Sequence, residues 1–168
     1  MVILGLDPGT AITGFGLLRV EHGRTTVMDY GTLETKKGPS DAARLMHVFD
    51  EAEDLLRRSK PDAIAIEHLF FGRNVSTMLG VGRASGVLLL AAAKAGIEIA
   101  EYTPMQVKMA VVGVGNADKK QVQFMVRHIL NLKETPKPDD AADALALAIC
   151  HANTYKIAAH NPSRVGRR

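Results

Sequence analysis

Two short apolar runs that each end in a carboxylate place the strongest constraint on how this chain folds. The first run, Met1–Leu6, is followed by Asp7, and the second, Asp62–Ile66, is followed by Glu67. Runs of this length and composition are typical of strands buried inside a sheet. A helical segment separates them, and a strand–helix–strand connection places its two strands in parallel. Because parallel strands share one carboxyl edge, we expect Asp7 and Glu67 to be neighbours.

The hydrophobic pattern along the rest of the chain predicts an α/β domain. Apolar runs bounded by turn residues indicate strands, and apolar residues at helical spacing between capping signals indicate helices. The predicted order is β-β-β-α-β-α-β-α-α-α. The further predicted strands are Phe15–Val20, Thr25–Leu33 and Ile97–Tyr102, and the predicted helices cover about residues 40–59, 74–95, 103–113, 118–130 and 139–155.

A second pair of carboxylates lies at the start of the last predicted helix. Asp140 and Asp143 are three residues apart, so both project from one face of its first turn. The adjacent Asp139 should point about 100° away from Asp140 around the helix, and we leave it out of the predicted site. With Asp7 and Glu67, the pair makes four candidate metal ligands.

Carboxylates placed together resist ionisation unless a cation neutralises them. Hard oxygen ligands in this number favour Mg²⁺ or Mn²⁺ over Zn²⁺, and the histidines form no competing metal-ligand pattern. Two such ions suit hydrolysis of a phosphodiester. Each acid alone has a simpler explanation, since Asp-Pro-Gly is a common turn and acids in a first helical turn usually serve capping and the helix dipole. Their joint placement is what favours a metal site.

Bulk properties exclude some classes of protein and leave others open. The formal charge of +3 and the pI near 9.1 are compatible with a polyanionic partner but do not require one. The single cysteine, Cys150, forms no intrachain disulfide, and the longest apolar run, Val87–Ala93, is too short to cross a bilayer. We therefore expect a cytoplasmic protein.

Five segments of the chain, in the same order, resemble the RuvC family of bacterial Holliday junction resolvases. They are ILGLDPGTAITGFG, AIAIEHLFFGRN, GVGRASGVLLLAA, QVKMAVVGVGNADKKQV and PDDAADALALAICHA. The resemblance implies an RNase H-like fold with a mixed five-stranded sheet between helices. It further implies a homodimer that makes symmetric paired nicks in four-way junction DNA by two-metal-ion hydrolysis during recombination and repair, in cooperation with the branch-migration proteins RuvA and RuvB.

The same resemblance implies roles for particular residues. Asp7, Glu67, Asp140 and Asp143 match the four catalytic and metal-binding acids of the family, although some members carry His at the position of Asp140. Lys108 and Lys119 match basic residues that face the phosphodiester and bind DNA, and Phe70 matches an aromatic residue that contacts bases at the crossover. For a lone lysine the simpler alternative is a solvated charge, and for Phe70 it is a place in the core.

Further contacts are predicted from position along the chain. Arg73, Asn74 and Arg83 lie near the expected site or on the long second helix, and they are candidate contacts to the DNA backbone. On that helix Gly82 and Gly86 are four residues apart, which allows close packing either of a second subunit or of the helix's own sheet. We expect an RNase H-like nuclease domain over residues 1–157 and a basic, flexible tail over residues 158–168.

Three alternatives remain open at this stage. The opening Asp-Pro-Gly-Thr also resembles the phosphate loop of actin-like ATPases and sugar kinases, although the chain lacks the second domain that those proteins use to enclose a nucleotide. An enzyme of the same fold that acts on RNA or on RNA·DNA hybrids would use the same acids. A catalytically silent junction-binding protein is the third alternative, and the complete set of carboxylates counts against it.

Overall fold

The computed structural model describes residues 1–9, 11–34, 40–68 and 75–160. It contains a mixed five-stranded sheet in the order β3-β2-β1-β4-β5. The strands are β1 (Val2–Asp7), β2 (Ile12–Glu21), β3 (Arg24–Glu34), β4 (Ala63–Glu67) and β5 (Glu98–Tyr102). The helices are α1 (Asp41–Ser59), α2 (Val75–Lys94), α3 (Pro104–Val112), α4 (Lys119–Ile129) and α5 (Asp139–His160).

The predicted element order is confirmed, and its two parallel crossovers position the site. β1 pairs in parallel with β4, which pairs in parallel with β5, whereas β1–β2 and β2–β3 are antiparallel. The central position of β1 explains its continuous apolar sequence, since both of its faces are covered. None of the described helices has the length and apolar character needed to cross a membrane.

The helices cover the two faces of the sheet in separate layers. One core cluster packs α1 and α2 on Leu4, Leu6 and Ile66. The other packs α3, α4 and α5 on Ile3 and Ala65. Since side chains alternate along a strand, Asp7 shares the face of Ile3, and Glu67 shares the face of Ala65. The pleat therefore directs both strand-ending carboxylates towards the layer that contains α5.

Helix ends are set by local capping as the sequence predicts. The Ser40 side chain accepts a hydrogen bond from the Ala43 amide at the start of α1. Thr103 and Asp118 each form a capping box at the starts of α3 and α4. α5 continues to His160, so the domain boundary predicted at residue 157 falls inside this helix. Residues 161–168 of the predicted tail lie outside the described part of the chain.

Glycines of β1 and β2 allow α5 to pack directly on the backbone of the sheet. A Cβ added at Gly5 would lie 1.9 Å from the Ala144 carbonyl oxygen, and one added at Gly14 would lie 2.0 Å from the Asp140 carbonyl oxygen. The helix contributes Ala144 and Ala148 to the contact at Gly5, and both are buried. Backbone atoms of α5 therefore approach the backbone of the sheet at Gly5 and Gly14, and the first turn of α5 lies over the carboxyl end of β1.

We predict that Gly14→Ala destabilises the protein, because the new methyl group would overlap backbone atoms of α5 that cannot move independently. Overpacking of this kind costs about 1–3 kcal/mol. Urea denaturation followed by circular dichroism measures the loss. Gly31→Ala on β3 is the matched control, since its methyl group would meet only the Phe15 ring, at 3.1 Å. Equal stability of Gly14→Ala and wild type would contradict the close packing.

Candidate active site

Asp7 and Glu67 end neighbouring parallel strands, as predicted. The register pairs Leu6 with Ile66, so the next residue of each strand is a carboxylate at the same edge of the sheet. Both side chains are partly buried. The first turn of α5 brings Asp140 over Gly14, which is the residue of β2 that pairs with Asp7. The structure thus brings strand-borne and helix-borne acids together.

Electrostatic coupling shows how closely these acids interact. Burial, reinforced by the charges of Asp143, Glu67 and Asp140, raises the pKa of Asp7 to about 7. Burial and the charge of Asp143 likewise raise the pKa of Glu67. The charges of the other three predicted ligands thus oppose the ionisation of Asp7, which places Asp7 at the centre of one carboxylate cluster.

Asp143 is also bound to a lysine on the opposite side of the cluster. The Lys119 ammonium lies 3.1 Å from Asp143 Oδ2. Burial is the largest influence on the pKa of Asp143 and raises it, while the hydrogen bond and charge of Lys119 lower it in part. For Lys119, burial lowers the pKa, but the hydrogen bonds and charges of Asp143 and then Asp139 leave it above its ordinary value. Lys119 is thus a fully charged cation beside the acids.

Two cavities flank Glu67 and open the cluster to a substrate. The first, of about 230 Å³, lies between α3, α4 and α5, and its polar lining is Glu67, Lys108, Lys119 and Asp143. The second, of about 320 Å³, lies on the side of α2, where Asp7 and Glu67 line it together with Pro8, His68, Met78, Val81 and Pro104. Both predicted lysines therefore line the same cavity, which makes it the electrostatically favourable side for a phosphate.

A larger cleft of about 710 Å³ lies at the other end of the sheet, between the last turns of α1 and α2. Four of the charged groups that line it form ion pairs, Lys94 with Glu53 and Arg57 with Asp54. Acid–base chemistry and metal binding need groups whose charges remain uncompensated. The carboxylate edge of the sheet meets that requirement better than the larger cleft.

The donor set fits a hard divalent cation. In the part of the chain that the structure describes, no three His, Cys, Asp or Glu side chains converge into a ready-made metal site. A divalent cation would remove the repulsion and lower the pKa values of the acids that burial has raised. Oxygen ligands alone suit Mg²⁺ or Mn²⁺.

Of the other predicted DNA-contacting residues, Arg83 forms an exposed ion pair with Asp41, with 2.9 Å between Arg83 Nη1 and Asp41 Oδ2. Phe70, Arg73 and Asn74 lie outside the described residues. Asp139, which the prediction left out, lies 3.3 Å from the Lys119 ammonium. Its sequence position carried a usable signal, because residues four apart on a helix share a face and Asp139 precedes Asp143 by four.

Two residues further along α5 have structural roles, as the sequence indicates. The side chain of His151 is hydrogen-bonded to the Tyr102 hydroxyl at 2.8 Å, which ties α5 to the end of β5. Burial lowers the pKa of His151, so the neutral form is favoured. Cys150 is buried, and burial raises the pKa of its thiol to about 11, which disfavours the reactive thiolate.

We predict that Asp7→Asn stabilises the metal-free protein at neutral pH. An acid whose pKa is about 7 in the folded state and 3.8 when fully solvated binds its proton more tightly when folded. The free energy of unfolding of the wild type should therefore fall as pH rises from about 4 to 7 and then level off. The variant lacks this loss and should be more stable at pH 8 by up to about 4 kcal/mol.

Urea denaturation in EDTA at pH 4 and pH 8 tests this prediction. The two proteins should differ little at pH 4, where Asp7 is protonated in the folded wild type. Added Mg²⁺ should stabilise the wild type more than the variant, because the cation favours ionised Asp7. The electrostatic account would be contradicted if the difference in stability between wild type and variant were the same at pH 4 and at pH 8.

Comparison with known proteins places this geometry in a family. The family profile described as crossover junction endodeoxyribonuclease RuvC matches residues 3–151. The crossover junction endodeoxyribonuclease RuvC of Syntrophomonas wolfei subsp. wolfei is 53% identical over 157 residues, which cover 94% of this chain and 91% of that protein. A match of this extent overturns the alternative of an actin-like ATPase or sugar kinase.

Solved structures agree with the sequence comparison. The structure of Thermus thermophilus RuvC is 38% identical, with a TM-score of 0.86 over 94% of this chain and 96% of that one. T. thermophilus RuvC in complex with Holliday junction substrate is 35% identical, with a TM-score of 0.84 over the same shares. The predicted RNase H-like fold is thereby confirmed. The protein belongs to the RuvC family of crossover junction endodeoxyribonucleases.

Proposed function

We propose that this protein resolves Holliday junctions by Mg²⁺-dependent hydrolysis, making symmetric paired nicks in four-way DNA during recombination and repair. The observation that carries the proposal is the cluster of Asp7, Glu67, Asp140 and Asp143 at one edge of the sheet in a chain of the RuvC family. Uncompensated acids weaken binding to a polyanion unless they hold cations. A metal-dependent nuclease accounts for their presence beside a lysine-lined cavity.

The four acids would hold two Mg²⁺ ions, with Mn²⁺ as a substitute. Ions held there would supply a Lewis acid that activates water and stabilises negative charge on the leaving 3′ oxygen. Asp7 and Glu67 come from rigid strand ends, so they provide the fixed side of the site. Asp140 comes from the first turn of α5, where the helix dipole favours its negative charge, and Asp143 follows one turn later on the same face.

Lys108 and Lys119 act on the phosphate itself. Both ammonium groups line the cavity that contains Glu67 and Asp143. In that position they neutralise the charge of the phosphodiester as it is attacked. Since Lys119 is paired with Asp143 in the absence of a cation, metal binding by Asp143 would release Lys119 for this contact.

Four-way junction DNA is the proposed substrate, as in the complex of T. thermophilus RuvC with Holliday junction substrate. Phe70 would stack on bases at the crossover, and Arg73 and Asn74 would contact the backbone beside it. Arg83 would contribute a weaker backbone contact, because it would first have to leave Asp41.

A homodimer supplies the two active sites that paired nicks require. The exposed residues Leu79, Gly86, Leu90 and Ala93 of α2 follow one another at spacings of seven, four and three. This is the spacing of a helix that packs along a partner helix. A Cβ at Gly86 would meet nothing within 4 Å in its own chain, so packing against the sheet does not require glycine there. Close approach of the α2 helix of a second subunit would require a glycine at this position.

The proposed location of the protein is the cytoplasm, where a bacterial chromosome recombines and where buried Cys150 stays reduced. The branch-migration proteins RuvA and RuvB are the proposed partners. Membership of the RuvC family supports both statements.

We predict that Asp7→Asn abolishes cleavage of a synthetic four-way junction while leaving junction binding intact. Removal of one charged metal ligand should lower the single-turnover rate constant by at least about 100-fold, since the transition state loses charge stabilisation. Cleavage with Mg²⁺ is measured on gels, and binding by fluorescence anisotropy with Ca²⁺. Asp50→Asn, an exposed acid of α1 at the other end of the sheet, is the control and should cut normally.

The same assay separates the remaining alternatives. A linear duplex of equal length should stay intact, and EDTA in excess should stop all cutting. Faster cleavage of an RNA·DNA hybrid than of the junction would favour the alternative enzyme of this fold. Tight junction binding by the wild type with no cutting in Mg²⁺ or Mn²⁺ would favour the silent binding protein.

We predict that Leu90→Lys converts the protein to a monomer, because it places a charge in the apolar stripe of α2. Sedimentation velocity measures the mass, and a supercoiled plasmid carrying a junction reports whether the two nicks occur within one binding event. Met46→Lys, another exposed apolar residue on α1, should remain dimeric. A dimeric Leu90→Lys protein would place the subunit interface elsewhere.

A further inference from the structure

Two carboxylates of α5 hold the Lys119 ammonium, and the cluster contains only one of them. Asp143 Oδ2 lies 3.1 Å from Lys119 Nζ and Asp139 Oδ2 lies 3.3 Å from it. Asp143 also raises the pKa values of Asp7 and Glu67, so it faces the other acids. Asp139 has a side chain that is 61% exposed and stands on the outer side of the lysine. Lys119 is therefore shared between an inner and an outer carboxylate.

We infer that Asp139 is a positioning residue that keeps Lys119 beside the scissile phosphate once Asp143 has turned to the metal. The inference rests on the proposed function, in which Asp143 is a metal ligand. A carboxylate that binds a divalent cation has most of its charge neutralised and attracts an ammonium less strongly. Asp139, outside the cluster, keeps its charge and remains as the anchor.

The backbone of Lys119 is fixed, but its ammonium is not fixed by the backbone. Lys119 is the first residue of α4 and lies inside the capping box in which Asp118 and Gln121 exchange hydrogen bonds of 2.9 Å. Four rotatable carbons separate this rigid point from the charge, and the side chain is 53% exposed. Without a side-chain partner, the ammonium would spend much of its time in solvent. A partner at 3.3 Å restricts it to the mouth of the cavity.

A purely local role for Asp139 is the competing explanation. Acids in the first turn of a helix stabilise it through the helix dipole, and Asp139 is the first residue of α5. That role would affect stability in any background. The positioning role acts through Lys119 and disappears when the lysine is absent, so a double-mutant cycle separates the two.

The cycle compares wild type, Asp139→Asn, Lys119→Ala and the double variant. Single-turnover cleavage of a saturating four-way junction in Mg²⁺ measures the rate constant, and anisotropy in Ca²⁺ measures junction binding. Asp139→Asn should lower the rate constant by about threefold to fivefold, the scale of an exposed ion pair, without weakening binding. In the Lys119→Ala background it should change nothing. Asp139→Glu keeps the charge and should restore most of the rate.

Glu134→Gln is the matched control, since it removes an exposed acid from the connection between α4 and α5 and should cut at the wild-type rate. Thermal denaturation checks that every variant is folded at the assay temperature. An unchanged or raised rate constant for Asp139→Asn, or an equal loss with and without Lys119, overturns the inference while leaving the nuclease intact. A wild type that cuts no junction in Mg²⁺ or Mn²⁺ overturns the proposed function itself.

Discussion

The direct contact between α5 and the backbone of β1 and β2 is the constraint on which the site depends. Gly5 and Gly14 remove the side chains that would otherwise separate helix from sheet. The alanines of α5 do the same from the other side, so the two backbones meet. Any larger residue at these positions would lift the helix and carry Asp140 and Asp143 away from Asp7. The packing of α5 on the sheet therefore sets how far Asp140 and Asp143 lie from Asp7.

The close placement of these acids lowers the stability of the metal-free protein. Bringing four acids to one partly buried edge raises the pKa of Asp7 to about 7, which means that ionisation at neutral pH opposes folding. Hydrophobic cores on both faces of the sheet offset this loss of stability. Clustered acids that destabilise the metal-free protein would favour binding of a cation, because the cation attracts each carboxylate and offsets their mutual repulsion.

Most of the fold followed from local patterns. Strand and helix order, the approximate starts of the helices, and the shared edge of Asp7 and Glu67 were predicted from apolar periodicity and turn chemistry. α5 ends at His160, beyond the end near residue 155 that its helical pattern predicted. The angle between Asp139 and Asp140 did not indicate a contact of Asp139 with Lys119, whereas the spacing of four between Asp139 and Asp143 places both acids on one face of α5.

The sequence pattern alone was enough to show which carboxylates end the strands and which acids begin the last helix, because both follow from apolar runs and helical spacing along the chain. Only the tertiary structure decided that Lys119 lies between Asp139 and Asp143 and that Arg83 is engaged by Asp41. Such pairs join separate elements, and their distances follow from how closely helices pack. The periodicity of the sequence does not show how closely α5 packs on the sheet. In the folded protein, the glycines beneath α5 set this distance.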